Sequence, residues 1–116
     1  MSDSNPKLTF DEYQKLAFKL AKYPAKGDNF IYPCLGMSGE CGEYTEKVKK
    51  CLRDDGGVIT PERKAAMLKE LGDVLWYLSA NAMELDVTLS EIAQGNIDKL
   101  MGRNERGTLQ GSGDDR

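Results

Sequence analysis

The apolar residues of this chain recur at helical spacing in four separate segments. The first segment opens with Thr9-Phe-Asp-Glu12, in which Thr9 and Glu12 have the spacing of a capping box, a pair that satisfies backbone donors at a helix start. Pro24 and Gly27 break the pattern and predict the end of the helix. The face that we expect to be buried consists of Phe10, Tyr13, Leu16, Ala17 and Leu20.

A second helix is predicted from about Pro33, a residue tolerated at a first helical position, to about Arg53. Gly56-Gly57 follows it as a stop signal. The first half of this helix has a glycine at every third position, at Gly36, Gly39 and Gly42. Each glycine inside a helix costs up to about 1 kcal/mol relative to alanine. The spacing therefore indicates that another helix or a ligand approaches the backbone closely, and a frayed helix start is the alternative.

Two further helices begin with comparable signals, at Thr60-Pro61-Glu62 and at the capping box Thr88-Leu-Ser-Glu91. Their predicted inward faces are Leu68, Leu71, Val74, Leu75, Leu78 and Ala82 in the third helix, and Leu89, Ile92, Ala93, Ile97 and Leu100 in the fourth. No segment alternates β-branched and polar residues as a strand would. The predicted fold is all-α, a four-helix-type bundle completed by oligomerisation.

This predicted domain covers residues 1–106, and residues 107–116 form a Gly-rich polar C-terminal tail. The composition of the tail favours a flexible segment. The alternative is that the tail folds over a bound anion, because its glycines and Arg116 can approach phosphate groups. The sequence leaves both interpretations open.

Size and charge limit the possible partners. A chain of 116 residues removes only about two thirds of its unfolded surface from water, which favours association with further copies. The net charge of −3 and the absence of a basic stripe predict no nucleic-acid partner. The opening MSDSNPKLTF is polar, and the longest apolar stretch, Val74 to Tyr77, is far too short to span a bilayer. The 3 cysteines form no C-x-x-C pair. We therefore expect a cytoplasmic protein with reduced thiols and no membrane partner.

The chain contains 0 histidines, and this absence excludes several kinds of site. It removes a Ser-His or Cys-His triad, a histidine-ligated zinc site and a di-iron bundle built on Glu-x-x-His pairs. Catalysis must then rest on carboxylates, lysines, hydroxyls or metal-activated water.

Four carboxylates are candidates for this chemistry. Glu40 and Glu43 are three residues apart in the second helix, and Glu70 and Asp73 have the same spacing in the third. A short connection makes the two helices antiparallel neighbours, so the acidic pairs can face each other. Mg²⁺ and Mn²⁺ prefer such oxygen ligands. The alternative is that these residues belong to the solvated faces of amphipathic helices.

The motifs Gly36-Met-Ser-Gly-Glu40-Cys-Gly-Glu43 and Lys69-Glu70-Leu-Gly-Asp73-Val-Leu-Trp-Tyr77 resemble the E-x-x-E…E-x-x-D signature of MazG-like nucleoside triphosphate pyrophosphohydrolases. These enzymes belong to the all-α nucleoside triphosphate pyrophosphatase superfamily. The resemblance extends from roughly Phe10 to Arg106. It implies hydrolysis of (deoxy)nucleoside triphosphates to a nucleoside monophosphate and pyrophosphate, with the four carboxylates binding Mg²⁺, or Mn²⁺ as a substitute. One of them, or the outlying Glu46, would position or deprotonate the attacking water.

The segment Asn96-Ile-Asp-Lys99-Leu-Met-Gly-Arg103 resembles the substrate-facing segment of the same family. The resemblance implies that Asn96, Lys99 and Arg103 contact the substrate, and a solvated basic helix end is the alternative. Beside the acidic face, Lys47 and Lys50 are further candidates for phosphate contacts. We expect Trp76 to pack in the core. Phe30 or Tyr32 is a candidate to bind the nucleobase of the substrate, because aromatic side chains stack on bases.

The resemblance also implies an assembly of two subunits, with dimers pairing into tetramers. Self-association of some kind follows independently from the size of the chain. The alternative function is a non-catalytic, nucleotide-binding regulatory bundle that keeps the acidic cluster without turnover.

Overall fold

The computed structural model describes residues 7–116, which form four helices: α1 (Phe10–Leu20), α2 (Ile31–Asp55), α3 (Pro61–Glu84) and α4 (Leu89–Glu105). No strand occurs in that range, so the all-α prediction is confirmed. Residues 1–6, which begin the predicted domain and form part of the polar opening stretch, lie outside the described residues.

Three of the four helix starts have the local interactions that the sequence predicted. The hydroxyl oxygens of Thr9 and Thr88 accept hydrogen bonds from the backbone N–H groups of Glu12 and Glu91, at 3.1 and 3.0 Å. The glutamate side chains accept from the threonine N–H groups in return, which completes both capping boxes. At α3, Thr60 is the N-cap and Pro61 is the first helical residue.

The start of α2 differs from the prediction, because the helix begins at Ile31 rather than near Pro33. Pro33 is tolerated inside the first turn, where backbone N–H groups have no partner within the helix. The side-chain oxygen of Asn29 accepts a hydrogen bond from the Tyr32 N–H at 3.1 Å and supports this turn. The helix ends at Asp55, and the following Gly56 caps it with a φ of +61°, the left-handed conformation that favours glycine.

Helices α2 and α3 form an antiparallel hairpin, which is the most extensive helix contact in the chain. Helix α1 packs on α3, and α4 packs mainly on α1. A small core joins the segment after α1 to α3 and consists of Ala21, Tyr23 and Ala80, with Phe18 and Trp76 packed against it. The hairpin is therefore the rigid element that carries residues of the two acidic motifs.

The segment between α1 and α2 is held against the end of α3 by the Glu84 carboxylate. This carboxylate accepts hydrogen bonds from the Tyr23 hydroxyl and from the backbone N–H groups of Gly27 and Asn29, the latter two at 2.7 Å. Tyr23 in turn stacks on Tyr32, with ring centroids 5.1 Å apart. The start of α2 is thereby fixed relative to α3.

Many side chains predicted to be buried are exposed in the single chain. In α1, Phe10, Leu16 and Leu20 are 62%, 54% and 73% exposed, and in α3 Leu68 is 56% exposed. The prediction that these residues form the core is wrong for one chain, because their side chains point away from the helices that pack on α1 and α3. None of the helices among residues 7–116 combines the length and apolar character that a bilayer crossing requires.

Candidate metal site

Three of the four predicted carboxylates come together between α2 and α3. Glu40 on α2 and Glu70 and Asp73 on α3 each offer a carboxylate oxygen, and these oxygens lie within 4.8 Å of one another. The register of the antiparallel hairpin brings Glu40 opposite the other two, which share a face of α3 because they are three residues apart. We call this group the carboxylate cluster.

The cluster concentrates negative charge. Burial raises the pKa of the Glu40 carboxyl above its usual value, and the charges of Asp73, Glu70 and Glu43 raise it further, together with a hydrogen bond to Glu70. Like charges at this separation disfavour full ionisation of the group. A bound cation would remove that penalty.

Glu43, the fourth predicted carboxylate, is exposed and lies outside the cluster. Its charge nevertheless acts on Glu40, so it is close to the cluster. Its role as a metal ligand stays a prediction.

Lys47 lies beside the cluster, with its Nζ 4.0 Å from Oε1 of Glu70. Lys50 makes no ion pair within residues 7–116.

Two aromatic residues form the other wall of the site. Trp76 and Tyr77 line a polar pocket together with Glu40 and Asp73. Burial raises the pKa of the Tyr77 hydroxyl, and the charges of Glu40 and Asp73 add to the effect. Trp76 packs against the core as predicted and also faces this pocket, whereas the sequence analysis did not select Tyr77.

Gly36 explains how Tyr77 reaches this position. A Cβ atom built on Gly36 would lie 2.1 Å from Cε1 of Tyr77, so only glycine allows the ring to rest against the α2 backbone. The close approach predicted from the glycine spacing is thus found at Gly36. Gly39 and Gly42 have no atom of the described chain within 4 Å of such a Cβ. The glycine was the sequence signal for Tyr77, but it did not identify the approaching residue.

The predicted substrate residues of α4 do not line the pocket at the carboxylate cluster. Asn96 is exposed and borders an apolar groove between α1, α3 and α4. Lys99 and Arg103 pair with Asp114 of the C-terminal segment. No ion pair in the described part of the chain joins these two cations to the carboxylate cluster.

The cluster fits a hard divalent cation. It offers three carboxylate oxygens from rigid helices, and the sequence has 0 histidines to favour zinc or di-iron ligation. Carboxylate oxygens completed by water are the ligands that Mg²⁺ prefers. An all-α hairpin that brings acidic side chains together in this way defines the class of protein as an all-α helical protein with a candidate metal site.

Comparison with known proteins identifies the family. Residues 34–108 match the MazG nucleotide pyrophosphohydrolase domain, and the chain belongs to this family. The chain is also 48% identical over 111 residues to the Gene 37 protein of Mycobacterium phage L5, an alignment covering 91% of this chain and 97% of the relative. No solved structure matches significantly. The resemblance to MazG-like proteins stated from the sequence is confirmed.

Proposed function

We propose that this protein hydrolyses (deoxy)nucleoside triphosphates to nucleoside monophosphate and pyrophosphate in a Mg²⁺-dependent reaction. The observation that carries the proposal is the carboxylate cluster of Glu40, Glu70 and Asp73, with its oxygens within 4.8 Å of one another. Family membership supports the reaction class, since the matching domain is that of nucleotide pyrophosphohydrolases. Glu43 is included among the proposed metal ligands because it is the second glutamate of the E-x-x-E motif.

The proposed division of labour follows the positions of the side chains. The cluster and Glu43 hold Mg²⁺, with Mn²⁺ as a substitute. Bound Mg²⁺ supplies Lewis acidity, which neutralises phosphate charge and lowers the pKa of water. The Lys47 ammonium, 4.0 Å from Glu70, balances part of the cluster charge. It would also donate to a phosphate oxygen of the substrate. Trp76 and Tyr77 form one side of the pocket.

Asn96, Lys99, Arg103 and Lys50 are the proposed further contacts to substrate. Lys99 and Arg103 are four residues apart on α4, and Asn96 precedes them by about one turn, so the three share a helix face. Positive charge on that face would stabilise the charge that develops on a transferring phosphoryl group.

A nucleotide panel tests the proposal. Purified protein is incubated with ribo- and deoxyribonucleoside triphosphates, with Mg²⁺ or with EDTA, and release of monophosphate and pyrophosphate is measured. We expect Mg²⁺-dependent release that falls by about 100-fold or more in Asp73→Asn. Glu62→Gln, an exposed glutamate in the first turn of α3, is the matched control and should retain activity. A folded protein that releases neither product from any nucleotide contradicts the proposal.

We also propose that a second copy covers the exposed apolar faces of α1, α3 and α4, in a dimer or a tetramer of two dimers. The chain exposes 8631 Å², whereas a folded monomer of 12.9 kDa is expected to expose about 6300 Å². The excess is of the size that one subunit contributes to an obligate interface. The apolar groove lined by Phe10, Leu75 and Ile92 is part of this surface. Sedimentation velocity should give a dimer or tetramer, and a monomer at micromolar concentration contradicts this proposal.

A further inference from the structure

The C-terminal segment 107–116 folds back on the end of α4, and we call it the C-terminal strap. The chain reverses at Gly107, with a φ of +72°, and the Thr108 N–H donates a hydrogen bond to the Arg103 carbonyl at 2.8 Å. The Arg116 guanidinium donates to the carbonyl oxygens of Thr108, Leu109 and Gly113, which closes the strap into a loop.

The strap covers Arg103. This residue is 5% exposed, and its guanidinium donates hydrogen bonds to the carbonyl oxygens of Asp114 at 2.5 Å and Gly113 at 3.3 Å. Its Nε is buried and has no hydrogen-bond partner among residues 7–116. An arginine is always charged, so this buried donor lacks the acceptor that would offset its desolvation. A stronger anion with several oxygens would satisfy it better than the strap does.

The Asp114 side chain occupies the position that such an anion would take. Its Oδ1 lies 3.6 Å from the nearest Arg103 nitrogen and 3.9 Å from Lys99 Nζ, so one carboxylate oxygen faces two cations. A phosphate oxygen can bridge a lysine and an arginine in the same way. The Asp114 side chain is 90% exposed, and water screens its ion pairs, so this contact is weak enough to be displaced.

We propose that the C-terminal strap is an autoinhibitory element, in which Asp114 holds Lys99 and Arg103 until the triphosphate of a substrate displaces it. This inference rests on the proposed function, because it takes Lys99 and Arg103 as phosphate contacts. A triphosphate carries more negative charge than one carboxylate and brings oxygens for the unsatisfied Nε of Arg103. Strap closure therefore lowers the apparent affinity for the substrate, in proportion to the fraction of chains in which the strap is open and the cations are free to bind.

Asp114→Asn is the decisive variant, and Asp115→Asn is its matched control. Both remove one negative charge from the strap, but Asp115 forms no ion pair in the described chain. Asp114→Asn should bind inorganic tripolyphosphate about 2- to 5-fold more tightly than the wild type and the control, as expected for loss of an exposed ion pair. KM for a nucleoside triphosphate should fall by the same factor with kcat unchanged. Equal or weaker binding by Asp114→Asn overturns the inference.

The two readouts separate this inference from the proposed function. Tighter tripolyphosphate binding by Asp114→Asn in a protein that hydrolyses no nucleotide supports the strap and overturns the enzyme. Hydrolysis by the wild type with identical binding in both variants supports the enzyme and overturns the strap. If none of the three proteins binds tripolyphosphate in the presence of Mg²⁺, the strap inference is overturned, whereas the proposed function is decided by the nucleotide panel alone.

Discussion

Substitution of Gly36 by alanine should displace the Tyr77 ring, which forms part of the pocket at the carboxylate cluster. The new Cβ would lie 2.1 Å from Cε1 and 2.5 Å from Cδ1 and Cζ of the ring, whereas carbon atoms in contact are about 3.5–4.0 Å apart. The ring or the two helices must therefore move by more than about 1 Å. Overpacking of this kind costs about 1–3 kcal/mol, and alanine recovers about 0.5–1 kcal/mol in helix propensity. We expect a net loss of about 0–2.5 kcal/mol in the free energy of unfolding, in place of the gain that alanine gives at an unobstructed helix position.

The assay is urea unfolding followed by circular dichroism at one fixed protein concentration, since self-association makes stability concentration-dependent. Gly42→Ala is the control on the same helix. A Cβ there meets nothing of the described chain within 4 Å, so the variant should gain about 0.5–1 kcal/mol. The background variant Tyr77→Ala removes the obstacle, and in it Gly36→Ala should become neutral or stabilising.

The reasoning is refuted if Gly36→Ala stabilises the protein as much as Gly42→Ala does. It is also refuted if the loss persists unchanged in the Tyr77→Ala background. Because Tyr77 lines the pocket with Glu40 and Asp73, the Gly36→Ala variant should also bind Mn²⁺ more weakly than Gly42→Ala.

Three further predictions follow from the site and from the α1–α2 connection. Glu84→Gln should lower the free energy of unfolding at pH 7 by about 1–3 kcal/mol, because the carboxylate accepts three hydrogen bonds. Burial alone would raise the pKa of Glu84, but the hydrogen bonds from Tyr23, Asn29 and Gly27 outweigh it and lower the pKa below 4.5. The contribution of Glu84 to stability is therefore present above pH 4.5 and is lost as the pH falls through the folded-state pKa. A stability difference between wild type and variant that stays constant from pH 7 to acid contradicts this. Glu70→Gln should raise the melting temperature in EDTA, because it removes repulsion between the carboxylates of the cluster. It should also abolish the rise in melting temperature that Mg²⁺ gives the wild type. An equal Mg²⁺ effect in both proteins counts against the metal site. The single tryptophan, Trp76, lines the pocket, so paramagnetic Mn²⁺ bound there should quench its fluorescence. Added Mg²⁺ should displace the Mn²⁺ and restore the emission. Unquenched emission at saturating Mn²⁺ places the metal elsewhere.

The features that the sequence predicted correctly depend on local spacing. The capping boxes at Thr9 and Thr88 require only that residues three apart meet in the first helical turn. The acidic pairs on α2 and α3 likewise follow from helical periodicity and a short connection between antiparallel helices. Three of those four carboxylates do meet in the structure, and the position of the fourth, Glu43, depends on details of register that spacing does not determine.

The features that sequence reasoning missed depend on contacts between distant residues. Tyr77 reaches the pocket because the hairpin register sets its ring over Gly36, and the glycine pattern alone also pointed to Gly39 and Gly42. The sequence left open whether the C-terminal tail is flexible or folds over an anion, and in the structure Arg116 donates hydrogen bonds to several backbone carbonyls along it. Hydrophobic periodicity predicted that the apolar faces of the helices are buried, but several of their residues are exposed in the single chain. The pattern does not tell whether the same chain or another copy covers such a face.

The measurement that tests the central claim most directly is the stoichiometry of products from one nucleoside triphosphate, in wild type and Glu70→Gln, across a Mg²⁺ titration. The account predicts equimolar monophosphate and pyrophosphate from the wild type, rising with Mg²⁺ and absent in EDTA, and about 100-fold less of both from the variant. Release of diphosphate and inorganic phosphate, or undiminished turnover by Glu70→Gln, would contradict it.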